Sequence, residues 1–100
     1  MTLQQQVSGD RIRSSPNVVS RVVADEALVV PIRGGAGDLD SIYTFNDAGT
    51  KLWMMIEKGQ SAAELAEYLQ TSYGITPGQA KTDAENFLAE LSEEGLIEQA

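Results

Sequence analysis

The chain has 100 residues, 42% of them apolar, and its 15 acidic against 7 basic side chains leave a net charge of −8. That length holds one modest core. With neither cysteine nor histidine present, disulfides, thiolate metal sites, thiol nucleophiles and the commonest general base are all excluded.

The opening run Met1-Thr2-Leu3-Gln4-Gln5-Gln6 lacks the basic and apolar blocks of a signal peptide. No apolar stretch approaches the roughly 18 residues of a membrane helix. A cytoplasmic protein without a membrane partner is therefore expected. Residues 1–15 are polar and read as a flexible arm, with Pro16-Asn17 marking the edge of a domain over 16–100. Val18, Val19, Val22 and Val23 favour a strand from Val18 to Ala24, and Asp25-Glu26 is a polar break. Ala27 to Ile32 then reads as a second strand, antiparallel to the first through a tight hairpin. Pro31 belongs near its end, or where a missing N–H faces no partner.

Gly34-Gly35-Ala36-Gly37-Asp38 has the glycines of a phosphate cradle, but no helix N-terminus or lysine follows. It reads as a connection between strands. Asp38 and Asp40 lack the further ligands of a calcium loop. In a third strand, Ser41 to Phe45, Tyr43 and Phe45 share one face and Ile42 and Thr44 the other, with Phe45 turned inward.

Asn46 is the natural N-cap of a first helix from about Asp47 to Lys58, striped by Ala48, Leu52, Met55 and Ile56 and closed by Gly59. Trp53 lies beside the stripe and is assigned to the core. Ser61-Ala62-Ala63-Glu64 is a capping box opening a second helix, which turns Leu65, Ala66 and Leu69 inward and ends near Tyr73-Gly74. Thr76-Pro77-Gly78-Gln79, another capping-box pattern with proline at N1, opens a third, with Ala80, Ala84, Phe87, Leu88 and Leu91 in one stripe. Gly95 closes it, and Leu96-Ile97 returns as a short extended tail. The fold class is α+β: a three-stranded antiparallel sheet followed by three helices, winged-helix-like.

Catalysis finds little support. Glu64, Glu67, Asp83, Glu85, Glu90, Glu93 and Glu94 fall on exposed-looking helical positions, and no serine has a histidine base. Neither a cofactor nor a metal site is indicated. The charge is also asymmetric. Residues 1–59 carry six basic against seven acidic groups, whereas residues 60–100 carry Lys81 alone against eight. A duplex-binding protein needs the opposite balance on its docking helices. The third helix accordingly makes a poor recognition helix for a winged-helix DNA-binding regulator, one alternative class.

Phe45-Asn46-x-Ala48, then Leu52-Trp53, then Lys58-Gly59, resembles the strand-to-helix signature of the PqqD family, the peptide chaperones of pyrroloquinoline quinone biosynthesis. Leu65, Leu69, Tyr73, Asp83, Phe87-Leu88 and Gly95-Leu96-Ile97 fall where that family has similar residues, so the resemblance spans roughly residues 16–98. Lys58 departs from it, standing where an acidic residue is usual, and the Gly34–Asp40 connection is longer. The resemblance implies a non-catalytic recognition element that holds the leader of a ribosomally made precursor peptide. It also implies a modifying-enzyme partner, in the quinone pathway a radical S-adenosylmethionine protein. The implied mode is β-augmentation beside the third strand, with peptide side chains entering the cleft against the third helix. The residues assigned to it are Ser41, Ile42, Tyr43, Thr44 and Phe45, with Ala80, Ala84, Phe87 and Leu88 on the helix. The alternative for every one of them is ordinary core packing, a reading that fits Phe87 and Leu88 at least as well. A scaffold for a partner enzyme is a further alternative, and the same sheet edge suits a homodimer.

Overall fold

In the computed structural model, which describes residues 12–33, 36–37 and 42–99, the valine-rich hairpin forms around a two-residue turn. β1 (Ile12–Ser14) precedes it, and β2 (Val18–Val23) pairs antiparallel with β3 (Glu26–Arg33), from Val18 opposite Pro31 to Val23 opposite Glu26. Ala24 and Asp25 make the turn with positive φ of 52° and 67°, the geometry whose twist matches paired strands. The break thus lies one residue earlier than Asp25-Glu26. The Ile32 N–H donates to the Asn17 carbonyl at 2.7 Å. Since successive N–H groups alternate sides, the absent N–H of Pro31 falls on the side away from β2 and costs the β2–β3 ladder no bond.

β4 (Ala36–Gly37) and β5 (Tyr43–Thr44) both pair with β3 on the side opposite β2. The expected three-stranded antiparallel sheet is therefore β2–β3–β5, with β4 as an added short strand. Arm residues 1–11, Gly34, Gly35, Asp38, Asp40 and Ser41 lie outside the described residues.

Three helices follow, punctuated as their capping residues dictate: α1 (Asp47–Glu57), α2 (Ala62–Tyr73) and α3 (Pro77–Glu93). Asn46 Oδ1 accepts the Gly49 N–H at 2.8 Å. Ser61 and Glu64 complete a reciprocal capping box. Thr76 accepts the Gln79 N–H, but the Gln79 amide donates onward to Asp83 instead of returning to the cap. Ala27 and Val29 of β3 join Leu52, Trp53 and Ile56 of α1, Leu65 and Leu69 of α2, and Ala80, Ala84 and Leu91 of α3 in one core. Trp53 is fully buried, as assigned, and its Nε1–H has no hydrogen-bond partner among the described residues.

The extended tail expected after Gly95 is a strand, and its partner, β1, was not foreseen. β6 (Ile97–Gln99) pairs antiparallel with β1, so Ile12–Ser14 is a strand and not the end of an arm. Ile12 packs on the core, and the Ser15 N–H donates to the Leu96 carbonyl at 2.9 Å. A lone isoleucine between arginines carries no periodicity, and its partner strand lies at the other end of the chain.

Candidate functional site

β5 is an edge strand by construction. One side is occupied by β3, with Leu28 opposite Thr44 and Val29 opposite Tyr43. Its other side has no backbone partner among the described residues. The Phe45 N–H donates to the Ala27 carbonyl at 3.0 Å, so by alternation the Thr44 N–H and C=O point to the free side. An unpaired donor and acceptor in register are what a further extended chain needs.

The corner after β5 is held by α1. Buried Thr50 receives the Ala27 N–H at 2.8 Å on Oγ1, and its own backbone N–H donates to the Asn46 carbonyl at 2.8 Å. One threonine thereby joins β3 to the start of α1. Gly49 lets this happen at close quarters. A Cβ there would stand 3.1–3.3 Å from Phe45 side-chain atoms and from Asn46 Oδ1, tighter than packed carbon atoms accept.

Phe45, 6% exposed, is the hub of an aromatic cluster. Its ring lies 5.3 Å from Tyr43, 5.6 Å from Phe87 and 5.8 Å from Trp53, the last pair stacked. Between β5 and α3 runs an open cleft of about 340 Å³, with Tyr43, Thr44, Phe45, Leu52, Leu69, Phe87 and Leu91 among its walls and Asp83 and Glu90 its only charged residues among those described. Tyr43 O–H donates across it to the Glu90 carboxylate. That bond, partial burial, and the charges of Glu90 and Glu94 together push the Tyr43 phenol up to about 12. Each of these disfavours the phenolate.

Of the residues singled out in the sequence, Tyr43, Thr44, Phe45 and Phe87 meet in this cleft, whereas Ile42 is exposed and does not line it. Ser41 lies outside the described residues. Ala80 and Ala84 do not reach the cleft: each is 1% exposed, packed in the core. Leu88 is half-buried against the core and does not line the cleft either. The apolar stripe of α3 is wider than one face, and its alanine side meets α2. The cleft side is instead Asp83, Phe87 and Glu90, which are i−4 and i+3 from Phe87 and hence its helical neighbours. Reading the acidic residues of α3 as one solvated surface hid them; the spacing around Phe87 was the available signal. A larger depression of about 500 Å³ lies between α2 and α3, but its walls include Ala62, Ala66, Gln70 and Ala84 and no strand edge.

Among the described residues no cluster of three or more potential ligands could hold a metal ion, and no helix is long and apolar enough to cross a membrane. The geometry supplies an unpaired strand edge, among the described residues, and an aromatic wall.

Residues 27–97 match the family model of coenzyme PQQ synthesis protein D. Two solved structures share the fold. "TbiB1 in complex with the TbiA(beta) leader peptide" is 22% identical, with a TM-score of 0.76 over 88% of this chain and 96% of that one. "Lasso peptide synthetase B1 complexed with the leader peptide" is 20% identical, with a TM-score of 0.73 over 87% and 96%. No curated protein sequence matches significantly.

Proposed function

The chain belongs to the PqqD family, coenzyme PQQ synthesis protein D, and from that premise we propose that it is a non-catalytic peptide-binding chaperone. It holds the leader of a ribosomally made precursor peptide as an added strand on β5 and presents the rest to a modifying enzyme. A radical S-adenosylmethionine protein, as in the quinone pathway, is the partner class this reading favours. Ile42, Tyr43, Thr44, Phe45 and Phe87 are the proposed contacts. A second copy of the chain would use the same edge, so dimer and peptide complex exclude one another.

The observation that carries the reading is the free edge of β5 above an aromatic cleft. Main-chain bonds along such an edge give affinity, and alternate side chains entering a cleft give specificity. The leader-bound state of two proteins with this fold agrees with it. The acidic character of α3, with Asp83, Glu85, Glu90, Glu93 and Glu94 against Lys81, argues against a phosphate-binding role for the same helix.

Amide hydrogen exchange tests this directly. The probe is a synthetic leader from a precursor gene neighbouring that of the protein. Phe45, already bonded to Ala27, is protected in the free protein, whereas Thr44 exchanges quickly. Bound leader slows Thr44 while leaving Phe45 as it was. Binding that leaves Thr44 exchange unaltered and protects only amides of α2 would overturn the mode.

A further inference from the structure

The leader-binding reading leaves open which peptides the cleft prefers, and the following rests on that reading. We propose that the peptide taken by this protein is basic: an apolar side chain seated over Phe87, with Lys or Arg at two-residue spacing meeting Glu90 on one flank and Asp83 on the other.

The first support is the unbalanced charge of the walls. Among the described residues every charged group lining the cleft is a carboxylate, and no lysine or arginine lines it. The second is that both carboxylates are uncommitted. Among the described residues neither pairs with a cation: Glu90 accepts the neutral Tyr43 hydroxyl and Asp83 the neutral Gln79 amide. A cation arriving at Glu90 forms a charge-assisted bond, stronger than the neutral one it replaces. The third is spacing. Asp83 and Glu90 stand about one helical turn, ~5.4 Å, on either side of Phe87. Same-face residues of an extended peptide are about 6.6 Å apart. A strand lying along α3 with its apolar anchor at Phe87 therefore brings its i−2 and i+2 side chains to the two carboxylates. An acidic peptide there would add uncompensated like charges to a half-enclosed site.

The full chain is used to select binders from a displayed library of randomised dodecapeptides, and the enriched peptides are then synthesised. The expected consensus has Lys or Arg two positions from an aromatic or aliphatic residue. Replacing that Lys by Gln, or making Glu90→Gln, weakens binding by about fivefold each, the scale of a partly exposed charge pair. Combining the two costs little more, since both remove one contact. Glu67→Gln on α2 makes the same change in net charge outside the cleft and leaves affinity unchanged. Tyr43→Phe deletes the internal bond to Glu90 but keeps the carboxylate, so preference for the basic peptide persists. Apolar consensus peptides without basic residues, or equal losses for Glu67→Gln and Glu90→Gln, overturn the proposal and leave leader binding standing. Absence of any enriched peptide overturns both.

Discussion

Tyr43 is the residue at which the cleft records its own electrostatics. A phenol donating to Glu90, partly buried and facing Glu94 as well, holds its proton up to about 12. An unfolded tyrosine releases it near 10. The folded state therefore binds this proton more tightly than the unfolded chain. The resulting stability is fully present below about pH 10 and is lost as pH rises from there through about 12. In Tyr43→Phe this portion of the alkaline loss disappears, so denaturant midpoints of variant and wild type converge as the pH climbs through that window. Absorbance titration should likewise lose its latest tyrosinate step. A variant whose alkaline profile parallels the wild type would show that Glu90 does not hold the phenol. Tyr43 was legible in the sequence as a face of the third strand, because strand alternation is local. Its partner was not, because pairing β5 with α3 joins residues 47 apart in the chain. Trp53, stacked on Phe45 from within the core, is the natural optical reporter of events in the cleft.

Elements followed their local signals where the signal was conformational. Asn46, Ser61 and Thr76 cap the three helices as their side-chain chemistry demands, because each satisfies an N–H within its own first turn. The β2–β3 turn is the exception, and it is strained. Its two positions, Ala24 and Asp25, have left-handed φ, where an alanine costs roughly 1 kcal/mol against a residue that tolerates that region. The preferred pair for such a turn is Asn-Gly. Nothing in Ala24-Asp25 advertises it, so the sequence reading placed the break a residue late. Ala24→Asn with Asp25→Gly should stabilise the protein by about 1 kcal/mol, offset in part by the entropy that glycine adds to the unfolded chain. The check is a urea midpoint shifted upward with unchanged slope. A fall in midpoint would mean that the turn is held in another geometry. On α3 the failure of local reading was of a different kind. Hydrophobic periodicity marks which residues leave water, but not whether they meet α2 or the cleft. Ala80 and Ala84 share the stripe of Phe87 and point to the other neighbour.

At the scale of the whole molecule, the pairing of β1 with β6 closes the chain, and it separates two accounts of where the domain begins. The sequence places that edge at Pro16; the structure places Ile12 against the core and Leu96 and Ile97, 1% and 7% exposed, beneath the ribbon it forms. Two forces act in this ribbon. The Arg13 guanidinium meets Glu98 at 2.5 Å, but the two side chains are 59% and 39% exposed, and such pairs contribute at most about 1 kcal/mol. Ile12 covers apolar surface, at about 25 cal/mol per Å² of area removed from water. The strand also satisfies backbone groups of β6 that would otherwise have only water for partners. Apolar cover is therefore the larger effect. A chain beginning at Pro16 should lose about 2–4 kcal/mol of stability, the sum expected for a part-buried isoleucine and a short ladder. Ile12→Ser should lose roughly half of that, and Arg13→Gln less than about 0.5 kcal/mol, diminishing further in high salt. Urea unfolding followed by Trp53 emission measures all three. Among the described residues the cleft is built from β5, α1, α2 and α3, with none of the ribbon in its walls, so leader affinity of the truncated chain, measured well below its midpoint, should match that of the full one. If truncation leaves stability unchanged, Pro16 is the true edge. If Arg13→Gln costs as much as Ile12→Ser, the ribbon is held by charge and not by its cover of the core.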